Sequence, residues 1–200
     1  MIANVLVNIF GALLFLFIFW KKLKEDYASE IIFSSAFIIF WSILISHFVA
    51  IRFIPAWFFW IETVGVMVGF LITLLRFKMR GYELFDAVVI SILPWISIFF
   101  LKDAVISSSI ISFVGFIVIL LFISIYYLLD VSYKRFTWYK SGKIGFSGLT
   151  TISLLFLLRA GIATKIPTVL SFVVAYEPYI SGSVALIGFL LVFNLSRRLD

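Results

Sequence analysis

Hydrophobic residues in this chain run in long unbroken blocks, and polar residues gather in the short gaps between them. The block at 10–20, Phe-Gly-Ala-Leu-Leu-Phe-Leu-Phe-Ile-Phe-Trp, has no period-two alternation. Strands of a membrane barrel would alternate over about 10 residues, so the pattern predicts helices. Charges and prolines divide the chain into seven predicted segments, at 2–20, 31–51, 57–75, 84–101, 104–129, 144–163 and 168–195. Each is near or above the ~20 apolar residues that a spanning helix needs. The last is the longest, and Glu177-Pro178 and Ser181-Gly182-Ser183 interrupt it. Pro178 has no N–H to give, so the helix is predicted to kink or start afresh there. Gly65 and Gly69, four positions apart, predict close helix packing. Gly142, Gly145 and Gly148 read as a tight turn into the sixth segment, and Ser107-Ser108-Ser109 as the turn into the fifth. The pattern predicts an all-α, multi-pass transmembrane helical bundle of about seven spans, with residues 1–200 forming a single integral membrane domain.

Composition sharpens this. Hydrophobic residues make up 64% of the chain and charged residues 13%, against roughly 45–50% and about 25% in soluble domains. That excludes a cytosolic enzyme, a secreted disulfide scaffold and a nucleic-acid binder. With no cysteine and one histidine, a zinc site of the usual kind is excluded too. The net charge of +6 suggests acidic partners until its distribution is read. Lys21, Lys22 and Lys24 follow the first segment, and Arg76, Lys78 and Arg80 the third. Lys134, Arg135, Lys140 and Lys143 follow the fifth, and Arg197 and Arg198 the seventh. The alternate gaps hold only Arg52, Lys102 and Lys165. Basic residues concentrate in cytoplasmic loops, so the expected topology has the N-terminus outside and the C-terminus cytoplasmic. No basic stretch precedes the first segment, so a cleavable signal peptide is not expected. Trp57 and Trp60 suit an outer aromatic belt, and Trp20, Tyr126, Tyr127, Trp138 and Tyr139 an inner one.

Ionisable residues inside apolar blocks cost several kcal/mol apiece and point to function. With that topology, His47, Arg52, Glu62, Arg159 and Glu177 all fall in the outer half. Asp86 falls at the inner start of the fourth segment, where a helix N-terminus would stabilise it. The stretch Leu154-Leu155-Phe156-Leu157-Leu158-Arg159-Ala160-Gly161 offers Arg159 no local carboxylate. A guanidinium there calls for a phosphate or carboxylate, which its planar fork grips in a bidentate way. No glycine-rich phosphate loop, nucleophile elbow or paired intramembrane aspartate is present. The charges therefore predict a polar pocket opening to the outer leaflet, suited to an anionic headgroup.

Two stretches carry a family resemblance. One is 65–86, a glycine-bearing segment, a basic turn and then Tyr82-Glu83-Leu84-Phe85-Asp86; the other is 133–159, a basic aromatic loop, Lys143-Ile144-Gly145-Phe146 and a late Arg159. In these the chain resembles the bacterial prolipoprotein diacylglyceryl transferases in a short, divergent form. These are seven-span inner-membrane proteins with the same orientation. Where the family carries His-Gly-Gly, this chain reads Trp60-Ile61-Glu62-Thr63-Val64-Gly65, and where it carries Gly-Arg-x-Gly-Asn, Leu93-Pro94-Trp95-Ile96-Ser97. The family's late arginine is matched by Arg159, and the glutamate one turn later is replaced by Ala163. The resemblance implies transfer of diacylglycerol from phosphatidylglycerol to the cysteine of a lipoprotein precursor, at the outer face of the plasma (inner) membrane, with no metal or organic cofactor. Glu62 or His47 would be the catalytic base, and Arg159, Arg52 and Glu177 would bind substrate. The alternatives are a non-catalytic lipid- or partner-binding membrane protein and a small transporter relaying protons through Glu62, His47 and Glu177.

Overall fold

Once in lipid, a backbone must bond to itself, which a helix does within its own segment. The computed structural model of the chain describes residues 2–135, 145–165, 172–173 and 175–197. Among these residues seven α-helices follow one another: α1 (Ile2–Leu23), α2 (Ser29–Phe53), α3 (Phe58–Phe77), α4 (Gly81–Ser107), α5 (Ile110–Ser132), α6 (Phe146–Ala163) and α7 (Glu177–Ser196). Short 3-10 turns at Pro55–Trp57 and Tyr133–Arg135 lead into α3 and out of α5. No strand occurs among the described residues. Six of these helices, α2 to α7, are long and apolar enough to cross a membrane. The 22-residue α1 repeats their composition. Trp138, Tyr139, Lys140, Gly142, Lys143, Arg198 and positions 168–171, all used in the sequence reading, lie outside the described residues.

The boundary between the fourth and fifth segments corrects the prediction. Lys102 and Asp103 do not end the fourth helix; α4 runs on to Ser107. Both charges are accommodated along the helix. The Lys102 ammonium sits 4.5 Å from the Phe99 ring centroid, and the Asp103 carboxylate accepts hydrogen bonds from the Ser107 and Ser112 hydroxyls. The break comes at Ser108, in the left-handed region with φ 50°. Ser109 then caps α5 by accepting from the Ser112 amide at 3.3 Å. At the other disputed point, α7 starts at Glu177 with Pro178 in its first turn, where a missing N–H costs nothing.

The main packing pairs are α2 with α3, α6 with α7, and α4 with both α1 and α5. Small residues set these approaches, as in lipid-embedded helices generally. Gly65 lies against Ser42 and Ser46, a Cβ on Gly69 would stand 2.8 Å from the Ile39 Cα, and Gly188 lies on Ser153. α4 and α6 form the interior, with 50% of the best apolar window of each buried, against 22% for α2, α3 and α5. One apolar cluster joins Phe15, Phe19, Ile32, Ile39 and Leu84. A second joins Trp60, Leu93, Phe122, Phe156 and Ala185.

Candidate functional site

Successive helices run in opposite directions, so the bundle has two polar ends. At one, the histidine end, the C-terminal halves of α2 and α6 meet the N-terminal turns of α3 and α7. His47, on α2, places Nδ1 2.5 Å from Oε1 of Glu62 on α3. This pair is open, its side chains 56% and 31% exposed. The Gly65–Ser46 approach one turn away holds α2 and α3 close enough for it. Arg52, in the last turn of α2, is exposed and forms no ion pair among the described residues.

The second pair at this end is of another kind. Arg159 donates from Nε at 3.1 Å and Nη2 at 2.7 Å to Oε1 of Glu177. That carboxylate is fully buried. Its Oε1 also accepts from the Ser181 hydroxyl at 2.6 Å, and its Oε2 from Trp60 Nε1 at 2.9 Å and the Val173 amide at 3.3 Å. Phe59 and Phe172 present their rings to the guanidinium, with centroids 3.7 and 4.9 Å from its carbon. A buried ion pair is tolerated when its remaining hydrogen-bonding capacity is filled in this way. The cluster ties α3, α6 and α7 together.

The two pairs share a bundle end but not a pocket. Trp60 and Glu62 are two positions apart on α3, about 200° around a helix. Trp60 accordingly points to Glu177 while Glu62 points to His47. Of the five residues predicted to converge, the structure joins His47 to Glu62 and Arg159 to Glu177, and leaves Arg52 exposed beside the first pair. Sequence reasoning missed Trp60 and Ser181 as partners of Glu177. Ser181 had a signal, one helical turn after Glu177; Trp60, contributed by α3, had none.

The opposite, lysine end is held by other polar contacts. Asp86 accepts from the Gly145 amide at 2.9 Å and the Gly148 amide at 2.8 Å. The expectation that Asp86 serves the start of its own helix is therefore corrected: it caps the positive N-terminus of α6. Gly145, at φ 86°, is in the region that favours glycine, and Gly148 is pressed against the carboxylate. Lys22 on α1 pairs with Asp130 on α5 at 3.1 Å. In the α1–α2 loop, Tyr27 donates to Glu83 at 2.6 Å and accepts from the Arg80 amide at 3.0 Å. Burial, then the neighbouring Glu83 carboxylate, push the Tyr27 phenol above its ordinary range. Trp60 and Tyr126, read as belt residues, are instead buried at 8% and 1% exposure. An amphipathic ring serves a membrane interface and a polar core equally well.

No group of three or more potential metal-binding His, Cys, Asp or Glu side chains occurs among the described residues. Compared with protein-family profiles, curated proteins and solved structures, the chain finds no match.

Proposed function

We propose that this chain is a diacylglyceryl transferase-like protein of the bacterial plasma (inner) membrane, N-terminus outside and C-terminus cytoplasmic, with its chemistry at the histidine end. The observation that carries the reading is the open His47–Glu62 pair with an uncommitted arginine, Arg52, on the same helix end. Glu62 holds the Nδ1 side of the imidazole, which leaves Nε2 to act as base. Nε2 takes the proton of the precursor's cysteine, since the thiolate is the nucleophile. The sulfur attacks the glyceryl carbon of phosphatidylglycerol that bears the phosphate. A C–S bond forms, the C–O bond to phosphate breaks, and glycerol phosphate leaves with the bonding pair.

The resemblance would give the phosphate to Arg159. Its engagement by Glu177 argues for Arg52 in that role, with developing charge on the leaving group met by the exposed guanidinium. The glutamate that the resemblance lacks at Ala163 has its counterpart in Glu177, brought in from α7, so the late arginine keeps a carboxylate and acts in support of the site.

The test uses purified protein in phosphatidylglycerol vesicles with a lipobox peptide. His47→Ala and Glu62→Gln should each lower the transfer rate by about 10²–10⁴-fold, as loss of a general base does. Arg52→Gln should lower it in the same assay without lowering the melting temperature. Transfer unaffected by His47→Ala overturns the assignment. A second reading, a non-catalytic lipid-binding protein, is favoured by the neutralised Arg159–Glu177 pair. It takes over if no transfer occurs while the protein still retains phosphatidylglycerol in preference to phosphatidylcholine through Arg52.

A further inference from the structure

A polar cavity of about 220 Å³ opens at the lysine end, lined by Asp26, Tyr27, Lys78, Arg80 and Glu83. It lies between the turns that join α1 to α2 and α3 to α4, at the depth where lipid headgroups meet the bundle. The chain builds it from a short stretch. Met79 is buried in the apolar cluster with Leu23, Ile32 and Leu84, and its sulfur accepts the Ser35 hydroxyl at 3.5 Å. That anchor leaves its neighbours Lys78 and Arg80 exposed on either side. Lys78 ends α3 in the left-handed region, at φ 51°, a conformation unfavourable for a residue with a Cβ.

The charges around the cavity divide into a closed set and an open one. Arg80 gives Nη1 to Oε1 of Glu83 at 2.9 Å, and Tyr27 gives its hydroxyl to Oε2 at 2.6 Å while accepting the Arg80 amide at 3.0 Å. Both oxygens of Glu83, whose side chain is 8% exposed, are thereby used and its charge is balanced. These three residues make a fixed, neutral floor. Lys78 and Asp26 are different: both are exposed, and neither side chain forms a hydrogen bond or ion pair among the described residues. Opposite charges that line one cavity without reaching each other leave room for a bridging molecule. A simple anion is repelled by Asp26, and a metal ion by Lys78. A zwitterion, with an anionic group for Lys78 and an N–H-bearing cation for Asp26, meets no repulsion. The volume is below the ~300–1,000 Å³ of drug-sized sites, which suits a headgroup. In the turns before Lys78, α3 also exposes Leu71, Ile72 and Leu75, a surface for acyl chains.

We propose that this cavity holds the headgroup of phosphatidylethanolamine, with the phosphate on Lys78 and the primary ammonium on Asp26. The N–H groups of Arg80 not given to Glu83 stand beside the phosphate, in the fork geometry that suits it. The bound lipid ties the α1–α2 loop to the α3–α4 turn. The site is at the opposite end from the proposed chemistry and stands independently of the transferase reading.

Native mass spectrometry of the intact protein with defined lipids tests it. The protein should retain phosphatidylethanolamine in preference to phosphatidylcholine, whose quaternary ammonium has no N–H for Asp26. Lys78→Gln and Asp26→Ala should each lower that retention by about 3–10-fold. Lys24→Gln, which removes an exposed charge at the same end but outside the cavity, should leave it unchanged. Asp26→Ala should in addition bind phosphatidylglycerol more tightly than the unaltered protein does, a gain that misfolding does not produce. Soluble phosphoethanolamine should displace the lipid only in large excess, because it lacks the acyl chains. Equal retention of phosphatidylethanolamine and phosphatidylcholine, a loss in Lys24→Gln as large as in Lys78→Gln, or soluble phosphoethanolamine binding as tightly as the lipid overturns the proposal.

Discussion

A guanidinium among apolar side chains needs an anion within reach, and for Arg159 that anion is the fully buried Glu177. Removing one partner takes the opposite charge away from the other's buried group, so Arg159→Gln or Glu177→Gln should each cost about 3–5 kcal/mol in thermal unfolding. The double variant Arg159→Met, Glu177→Leu should recover most of that loss, because it removes both desolvation penalties together. At the lysine end a Cβ on Gly148 would drive into the Asp86 carboxylate. Gly148→Ala should therefore destabilise by about 1–3 kcal/mol, the usual cost of overpacking, measured the same way. The charged residues and glycines of these contacts stood out in the sequence, because a charge or a glycine in an apolar run is conspicuous. Their pairing did not, since His47 and Glu62 belong to different helices, as do Arg159 and Glu177. Trp60 and Tyr126 misled for a separate reason. A ring with a polar tip fits a lipid interface and a buried hydrogen bond alike, and only the neighbouring helices decide between them.

Hydrophobic length determined the helices well and their ends less well. Each of the seven predicted segments holds a helix, the seventh only from Glu177 onward, and the proline at 178 marked a true start. The error at 102–103 came from treating a charged pair as a stop signal. Local partners, the Phe99 ring and the Ser107 and Ser112 hydroxyls, let α4 continue until Ser108 turns the chain. Glycine spacing was the most transferable signal, since Gly65 and Gly69 are where α3 meets α2. Gly69→Leu should therefore push α3 off the Ile39 backbone and loosen the hairpin. The expected outcome is faster proteolysis between α2 and α3 and loss of the His47–Glu62 pairing, seen as a changed His47 imidazole chemical shift by NMR.

For the molecule as a whole, the count and alternation of helices follow from the lipid solvent, whereas sidedness rests on the distribution of lysine and arginine. The chain's lack of cysteine makes that testable with single introduced thiols. In intact cells, an impermeant maleimide should label Lys102→Cys and spare Lys24→Cys until the membrane is opened; the reverse pattern would invert the bundle. What the chain does is a narrower question, because the His47–Glu62 pair and Arg52 lie at one end and the buried ion pair closes the same end from another side of α3. The most direct measurement is the mass of a lipobox peptide after incubation with the purified protein in phosphatidylglycerol vesicles. The account predicts a peptide carrying a thioether-linked diacylglyceryl group, one glycerol phosphate released per adduct, and loss of both in His47→Ala. An unmodified peptide after prolonged incubation with folded protein that still binds phosphatidylglycerol would contradict it.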